Sequence, residues 1–234
     1  MFDALLARYV VAGPDGISRV RYRAWRDSSD DMAALRAYVG ALESQTPSEM
    51  SAPEAIAFWS NLYNAVTLEV VLENYPVQSI RDIRASGSDA EAKVGPWTLD
   101  RVTVEERRLS LNAIEHDILR RQFADPRIHY AINCASASCP NLPPRAWRAD
   151  SLDLALDDAA RSYINHERGI RILPSGQIEA SSIFKWYAGD FGDREASILA
   201  HQAQYAQGPL ADALTRAGTI AAYDYDWSLN DAEG

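Results

Sequence analysis

The most regular hydrophobic pattern in the chain runs from residue 51 to residue 72. Its apolar positions cover nearly every direction of a helical wheel instead of a single face, which is typical of a helix that packs on several sides. Ser51 and Glu54 have the spacing of a capping box, and Pro76 follows the end of the pattern. We therefore predict a central buried helix over this range.

A few polar residues interrupt this helix. Asn64 shares a narrow stripe with Ser60 and Thr67, and Asn61 lies beside the stripe. A buried asparagine must be hydrogen-bonded, because an unpaired polar group costs about 1–3 kcal/mol. Asn61 and Asn64 either fix a neighbouring loop or line a binding site, and the sequence leaves both interpretations open.

Patterns elsewhere predict amphipathic helices and a few short strands. Helices are expected at 2–10, 30–42, 111–123, 151–168, 182–190, 194–206 and 210–217, with Asn112 and Glu115 at the cap and third position of the third. Strands are expected at 17–22, 95–99, 101–104, 128–132, 170–173, 177–180 and 219–223. Segment 76–84 suits a loop or short helix, and 85–93 is expected to be exposed. The fold class is α+β: one helix-rich domain over 1–234 with a small antiparallel or mixed sheet.

The stretch 125–140 holds both cysteines and one of only four histidines. Its alternating apolar residues, 128–132, predict a short buried strand. Small residues follow at 135–138, where a ligand could approach the backbone closely, and we expect Ser138 among the binding residues. Such a stretch suits either chemistry or a simple disulfide.

Charge and hydropathy exclude some partners. The 234 residues carry a net charge of −10, which argues against nucleic acid, because phosphate binding needs a basic face. No run approaches the roughly 20 apolar residues of a membrane span, so no span is predicted. The N-terminus lacks the basic start and cleavage site of a signal peptide. The chain is therefore cytoplasmic, or a signal was removed before this numbering begins.

Several motifs carry a family resemblance. They are the segments 57–65, 75–76 with 79–80, 109–112 with 114–116, 119–120, the stretch 125–140, 182–187 with 190–192, and 225–230. Together they resemble, in order over residues 50–230, the domain-of-unknown-function 547 family of bacteria and plants. The resemblance implies little chemistry. Its bacterial members often look exported, which favours a removed signal, and its plant members do not all keep both cysteines, which argues against a universal cysteine mechanism.

One hypothesis is a thiol-dependent hydrolase or acyl transferase. Its nucleophile would be Cys134, or else Cys139. The base would be His116 or His129, since a thiol needs an imidazole within hydrogen-bond reach. Glu115 would orient a histidine or act as the acid/base. On an extended strand His129 and Cys134 would lie roughly 16 Å apart on opposite faces, so His116 is the freer partner.

Two other hypotheses use the same residues. A metal site of His116, His129, Glu115 and the thiols has an unusual cysteine spacing, and we predict no metal and no cofactor. A non-enzymatic binding or scaffold module would instead use a Cys134–Cys139 disulfide to brace a loop that faces a small molecule or peptide. In that module His129 and the aromatic residues near 59–63 and 184–187 would be core, and the other two histidines, 166 and 201, would lie on the surface.

Overall fold

The structure is a computed structural model that describes residues 1–83 and 95–233. Helix α1 (Phe2–Tyr9) leads into an antiparallel hairpin of β1 (Val10–Ala12) and β2 (Ser18–Val20). Helices α2 (Tyr22–Arg26) and α3 (Ser29–Glu43) follow. The predicted strand over 17–22 is correct but too long, because Tyr22 already begins α2.

Helix α4 (Ala52–Asn74) is the central helix of the fold, as predicted. Its N-terminus has the predicted capping box, in which the Glu54 carboxylate accepts a hydrogen bond from the Ser51 backbone N–H at 2.9 Å. By length and composition this helix could cross a membrane, so the expectation that no run approaches a span was wrong. However, 94% of its most apolar stretch is buried inside the protein, as in a core helix.

The middle of the chain departs most from the prediction. Strands β3 (Asp100–Val104) and β4 (Arg107–Ser110) form a hairpin. The strand expected at 95–99 is wrong: this segment turns, with Leu99 N–H bonded to Pro96 C=O at 3.1 Å. The segment 85–93 lies outside the described residues.

The helix expected at 111–123 is present but wider than an α-helix. It comprises a π-helical segment, Ala113–Leu119, and then α5 (Arg120–Phe123). Asn112 is itself helical, with φ −59° and ψ −42°, and its side chain makes no capping hydrogen bond. The predicted capping box at Asn112 and Glu115 is therefore wrong.

The strand expected at 128–132 is also wrong. Pro126–Tyr130 form a 3₁₀ helix, which begins where the Asp125 side chain accepts from the Arg127 backbone N–H at 2.9 Å. Proline at the first helical position favours this turn. Residues 128–130 are buried nonetheless. The hydrophobic pattern therefore predicted which residues are buried but not which backbone conformation they adopt. The separation inferred for an extended chain between His129 and Cys134 does not apply.

The C-terminal third builds a mixed sheet. Helix α6 (Leu152–Ile164) ends four residues before the predicted end at 168, and the predicted strands β5 (Ile170–Ile172) and β6 (Ile178–Ser181) pair as an antiparallel hairpin. The remaining elements are α7 (Ile183–Trp186), a 3₁₀ turn (Ala188–Phe191), α8 (Glu195–Tyr205), α9 (Gly208–Arg216) and β7 (Ile220–Asp224). Strand β7 pairs parallel with β6, which gives the order β5-β6-β7.

Two apolar clusters form the interior of this helix-rich α+β single domain. The larger surrounds α4, and the smaller lies among α6, α8, α9 and the mixed sheet. The 3₁₀ helix connects them, because Ile128 belongs to the first cluster and Tyr130 to the second. The chain then runs back across the molecule in a C-terminal segment, residues 225–231, which pairs with Ser136 and with Val20.

Candidate functional site

A cavity of about 370 Å³ opens between α4, the π-helical segment, α7 and the loop that carries the cysteines. Most of its wall is aromatic or aliphatic, with a few polar groups. The lining side chains are Tyr63, Trp97, Asn112, Glu115, His116, His129, Ile132, Cys134, Cys139, Pro140, Ile183, Trp186, Tyr187, Tyr225 and Trp227.

All five residues that the sequence nominated for chemistry line this cavity. They are Glu115, His116, His129, Cys134 and Cys139. The three nominated binding residues, Asn61, Asn64 and Ser138, are not among its lining side chains.

The two asparagines of α4 hold backbone instead. The Asn61 side chain donates to Trp147 C=O and accepts from Trp147 N–H, both at 2.9 Å. Asn64 donates to Ala131 C=O at 2.9 Å and accepts from Asn133 N–H at 2.8 Å. This geometry matches the loop-fixing interpretation, and through Asn64 it anchors the entrance to the cysteine loop.

Ser138 connects the cysteine loop to the C-terminal segment. Its hydroxyl accepts from Asp226 N–H at 2.8 Å, and its carbonyl accepts from the Tyr163 hydroxyl at 2.9 Å. Ser138 also lines a second, more polar cavity of about 280 Å³ beside Arg168.

Cys134 and Cys139 form a disulfide in the cavity wall, with their Cα atoms 6.2 Å apart. The loop between them turns sharply at Ala135, which adopts a left-handed φ of 60° while its N–H bonds to the Asn133 side chain at 2.8 Å. The Tyr225 hydroxyl lies 3.2 Å from each sulfur. Within residues 1–83 and 95–233, no histidine is hydrogen-bonded to either sulfur.

His129 is buried, at 3% exposure, and bound to a carboxylate. Its Nε2 lies 2.7 Å from Asp190 Oδ2, and its ring stacks on Tyr187 with centroids 4.2 Å apart. Burial works to raise the pKa of Asp190, but hydrogen bonds from His129 and Arg120 lower that pKa well below its usual range. Because an ionised carboxylate only accepts, Nε2 of His129 donates and the ring is held in one orientation.

Arg120 connects Asp190 to the second histidine. Its guanidinium donates to both carboxylate oxygens of Asp190, and its Nη1 lies 2.9 Å from His116 Nδ1. Arginine cannot accept, so Nδ1 of His116 is the acceptor and a neutral His116 carries its proton on Nε2. In this arrangement His116 is a hydrogen-bond donor at Nε2, which does not suit the base role predicted for it.

Glu115 is the carboxyl group of the cavity wall. It is 5% exposed, and the Tyr63 hydroxyl donates to its Oε2 at 3.2 Å. Burial and then the charge of Glu115 raise the pKa of Tyr63 well above 10, and the same two causes raise the pKa of Tyr187. Both phenols therefore keep their protons and can donate to Glu115.

Sequence reasoning missed several wall residues and the partner of His129. Trp97, Trp227 and Tyr225 were not nominated, Trp186 and Tyr187 were assigned to the core, and Asp190 was noted only as part of a motif. Trp186 is in fact 48% exposed at the cavity. The available signal was the aromatic content of 182–192 and 225–230, but that content is equally typical of a core.

His201 is not the surface residue that was expected. It is half-buried in the second apolar cluster, and its Nε2 lies 2.8 Å from the Tyr130 hydroxyl. Burial is the main cause that lowers the pKa of His201 to about 4. His166 is also partly covered, with its Nε2 2.8 Å from Asp15 C=O.

The fold and this site define an α+β domain with an aromatic cavity whose wall contains a disulfide. Within that class, the chain belongs to the DUF547 family, described as a protein of unknown function, whose model matches residues 47–164, about half of the chain. Comparison with curated proteins and with solved structures finds no match. Among the described residues, no group of three His, Cys, Asp or Glu side chains is placed to hold a metal ion.

Proposed function

We propose that this chain binds a small, largely apolar molecule in the aromatic cavity and that the Cys134–Cys139 disulfide braces the cavity wall. The supporting observation is the cavity itself. Its volume of about 370 Å³ is in the range of small-molecule sites, which are mostly apolar with a few convergent polar groups. Glu115 and His129 supply such groups.

The disulfide supports this function through the loop that it closes. Cys134 N–H bonds to Cys139 Sγ at 2.9 Å, and the Asn133 side chain donates to Pro140 C=O at 2.7 Å. The Tyr225 hydroxyl rests against both sulfurs. A wall fixed in this way is preorganised, which lowers the entropy cost of binding.

The test fills the cavity from one lining position. Asn112 lines the cavity, is half-buried and caps nothing with its side chain, so Asn112→Trp adds bulk at a small structural cost. Arg121→Trp, nine residues further along the chain in α5, is the control, because the Arg121 side chain is 75% exposed. Benzyl alcohol is the probe, and its binding is measured by ligand-observed NMR.

We expect saturable binding to the unmodified chain and to Arg121→Trp, and its loss in Asn112→Trp. Binding that survives in Asn112→Trp would place the probe elsewhere and contradict the proposal. So would an absence of saturable binding to the unmodified chain.

The second candidate is the thiol-dependent hydrolase or acyl transferase. It is favoured by one observation: the five residues nominated for this chemistry line one cavity. A dithiol would first have to reduce the disulfide. Cys134 would then attack an acyl carbonyl while His129, oriented by Asp190, takes the thiol proton and later returns a proton to the leaving group.

Thiol accounting separates the two candidates. The binding module predicts no free thiol in the native chain and, after mild reduction, two thiols of ordinary reactivity. The enzyme predicts that Cys134 alone is alkylated rapidly by iodoacetamide near pH 6, because a nucleophilic cysteine needs a lowered thiol pKa. Peptide mass spectrometry assigns the modified cysteine, and His129→Gln should abolish the rapid phase.

A further inference from the structure

We propose that the ligand of the aromatic cavity is an organic cation: an ammonium group, with or without methyl substituents, on a small apolar body. This inference rests on the proposed binding function and adds the sign of the ligand's charge. It combines the buried acid of the cavity wall with the aromatic rings around it.

Glu115 provides the negative charge. Its hydrogen-bond partner is a phenol, Tyr63, and no arginine, lysine or histidine forms an ion pair with it within residues 1–83 and 95–233. Burying a charge without a partner of opposite charge is costly, so charged side chains in interiors are normally paired. Glu115 is only 5% exposed, and a cationic ligand in the cavity would bring it a charge of opposite sign.

The rest of the described lining offers no competing positive charge. It includes no lysine or arginine. Arg120 is engaged by Asp190, and its contact with His116 Nδ1 keeps that imidazole an acceptor. His129 is hydrogen-bonded to the carboxylate of Asp190. Glu115 is therefore the carboxyl group of the described lining, and the guanidinium groups of Arg120 and Arg81 lie against the rings of Tyr187 and Trp227.

The aromatic rings supply a second attraction. Tyr225 and Trp227 lie 4.8 Å apart between ring centroids, and Trp186 is 4.8 Å from Tyr225 and 5.6 Å from Trp227. Ring faces attract cations, and clusters of such rings hold quaternary ammonium groups. The chain already uses Trp227 in this way, since the guanidinium of Arg81 lies 5.2 Å from its ring centroid.

The experiment compares two probes of the same shape. Choline and 3,3-dimethyl-1-butanol differ by the exchange of N⁺ for carbon, so their affinities differ through charge. Calorimetric titration is made on the whole chain, on Glu115→Gln and on Asp117→Asn, whose side chain is 58% exposed on the same helical segment. Trp186→Leu, at a position that is 48% exposed, removes one ring and tests the inference should Glu115→Gln not fold.

We expect choline to bind the unmodified chain about tenfold more tightly than the alcohol. That ratio should fall to about threefold or less in Glu115→Gln and in Trp186→Leu, and remain in Asp117→Asn. Equal binding of both probes, or tighter binding of the alcohol, would contradict the inference that the ligand is a cation. The proposed binding of an apolar molecule would remain. Failure of both probes, and of benzyl alcohol, would overturn both proposals.

Discussion

Asp190 is the residue on which the two histidines of the cavity depend. It binds His129 directly, and it binds the Arg120 that in turn contacts His116. Neither the histidine pair nor the arginine is adjacent to Asp190 in sequence. Its carboxylate therefore fixes the hydrogen-bonding pattern of the cavity wall from outside the lining.

Asp190→Asn tests this role. The substitution removes the negative charge that accepts hydrogen bonds from His129 and Arg120. We expect it to lower the free energy of unfolding, measured in urea at pH 7, by about 2–3 kcal/mol. Because folding lowers the pKa of Asp190, this stabilisation is present above the ordinary carboxyl pKa of 3.8 and is lost as the pH falls below it. Asp193→Asn, at a nearby exposed position, should change stability by less than about 0.5 kcal/mol. Equal effects would refute the assignment.

His201 gives the molecule a pH dependence of its own. Its pKa of about 4 in the folded chain lies below the ordinary 6.5, so the unfolded chain takes up a proton first as the pH falls. The contribution of His201 to the free energy of unfolding is therefore fully present above pH 6.5, and it decreases as the pH falls below that value. We expect a loss of about 2 kcal/mol between pH 7 and pH 4.5 that is absent in His201→Gln.

The control for that measurement is His166→Gln, which should retain the pH-dependent loss because His166 remains partly exposed. Urea unfolding at both pH values gives the comparison. If His201→Gln and the unmodified chain lose stability in parallel, the proton uptake belongs to another group.

At the scale of elements, α4 organises the loops through its polar stripe. The Asn64 side chain satisfies one carbonyl and one N–H of the buried segment 131–133. Asn64→Ala would leave both groups unpaired, and we expect a loss of about 2–4 kcal/mol in urea unfolding. Asn74→Ala is the matched control: this exposed side chain bonds only to Val70 C=O of its own helix. A similar cost for both variants would show that the loop contact is not the cause.

Helical periodicity predicted most of these elements, and its failures have local causes. The long apolar pattern of α4 and the caps that bound it depend on neighbours within a few residues, which a sequence displays directly. The segment 128–132 was predicted as a strand because its apolar residues alternate, whereas residues 128–130 are all buried. A proline and the Asp125 side chain nevertheless favour a 3₁₀ helix, and a pattern of burial cannot tell the two apart.

The site was predicted in part for a similar reason. Cysteine, histidine and glutamate were singled out for their chemistry, and five such residues line the cavity. The aromatic wall could not be predicted in the same way. Trp186 and Trp227 reach the cavity only because β7 pairs with β6 and the C-terminal segment returns across the cysteine loop. Such long-range pairing leaves no local signal.

At the scale of the whole molecule, the disulfide closes a very short loop, with four residues between its cysteines. The chain-entropy model gives such a loop a stabilisation of about 2 kcal/mol. We expect the double variant Cys134→Ala/Cys139→Ala to fold and to lose roughly that amount in thermal unfolding. The affinity of this variant for choline should also fall, and by more than the loss of folding stability accounts for. The reason is that the disulfide no longer holds the cavity wall in place. Unchanged affinity would mean that the loop holds its shape without the bond.

The return of the C-terminal segment also decides how this protein can be divided. Ala137 N–H bonds to Ser228 C=O at 2.8 Å, and Asn230 N–H bonds to Ala135 C=O at 3.1 Å, so the last residues lie on the loop that precedes them by almost one hundred positions. A recombinant fragment cut to the family match, 47–164, would contain both cysteines and Glu115 but would lack Trp186 and Trp227. Activity screens on such a fragment would test an incomplete cavity. Homologues are best cloned through the position equivalent to residue 231, and transplanting the cysteine motif alone into another scaffold would not carry the recognition surface with it.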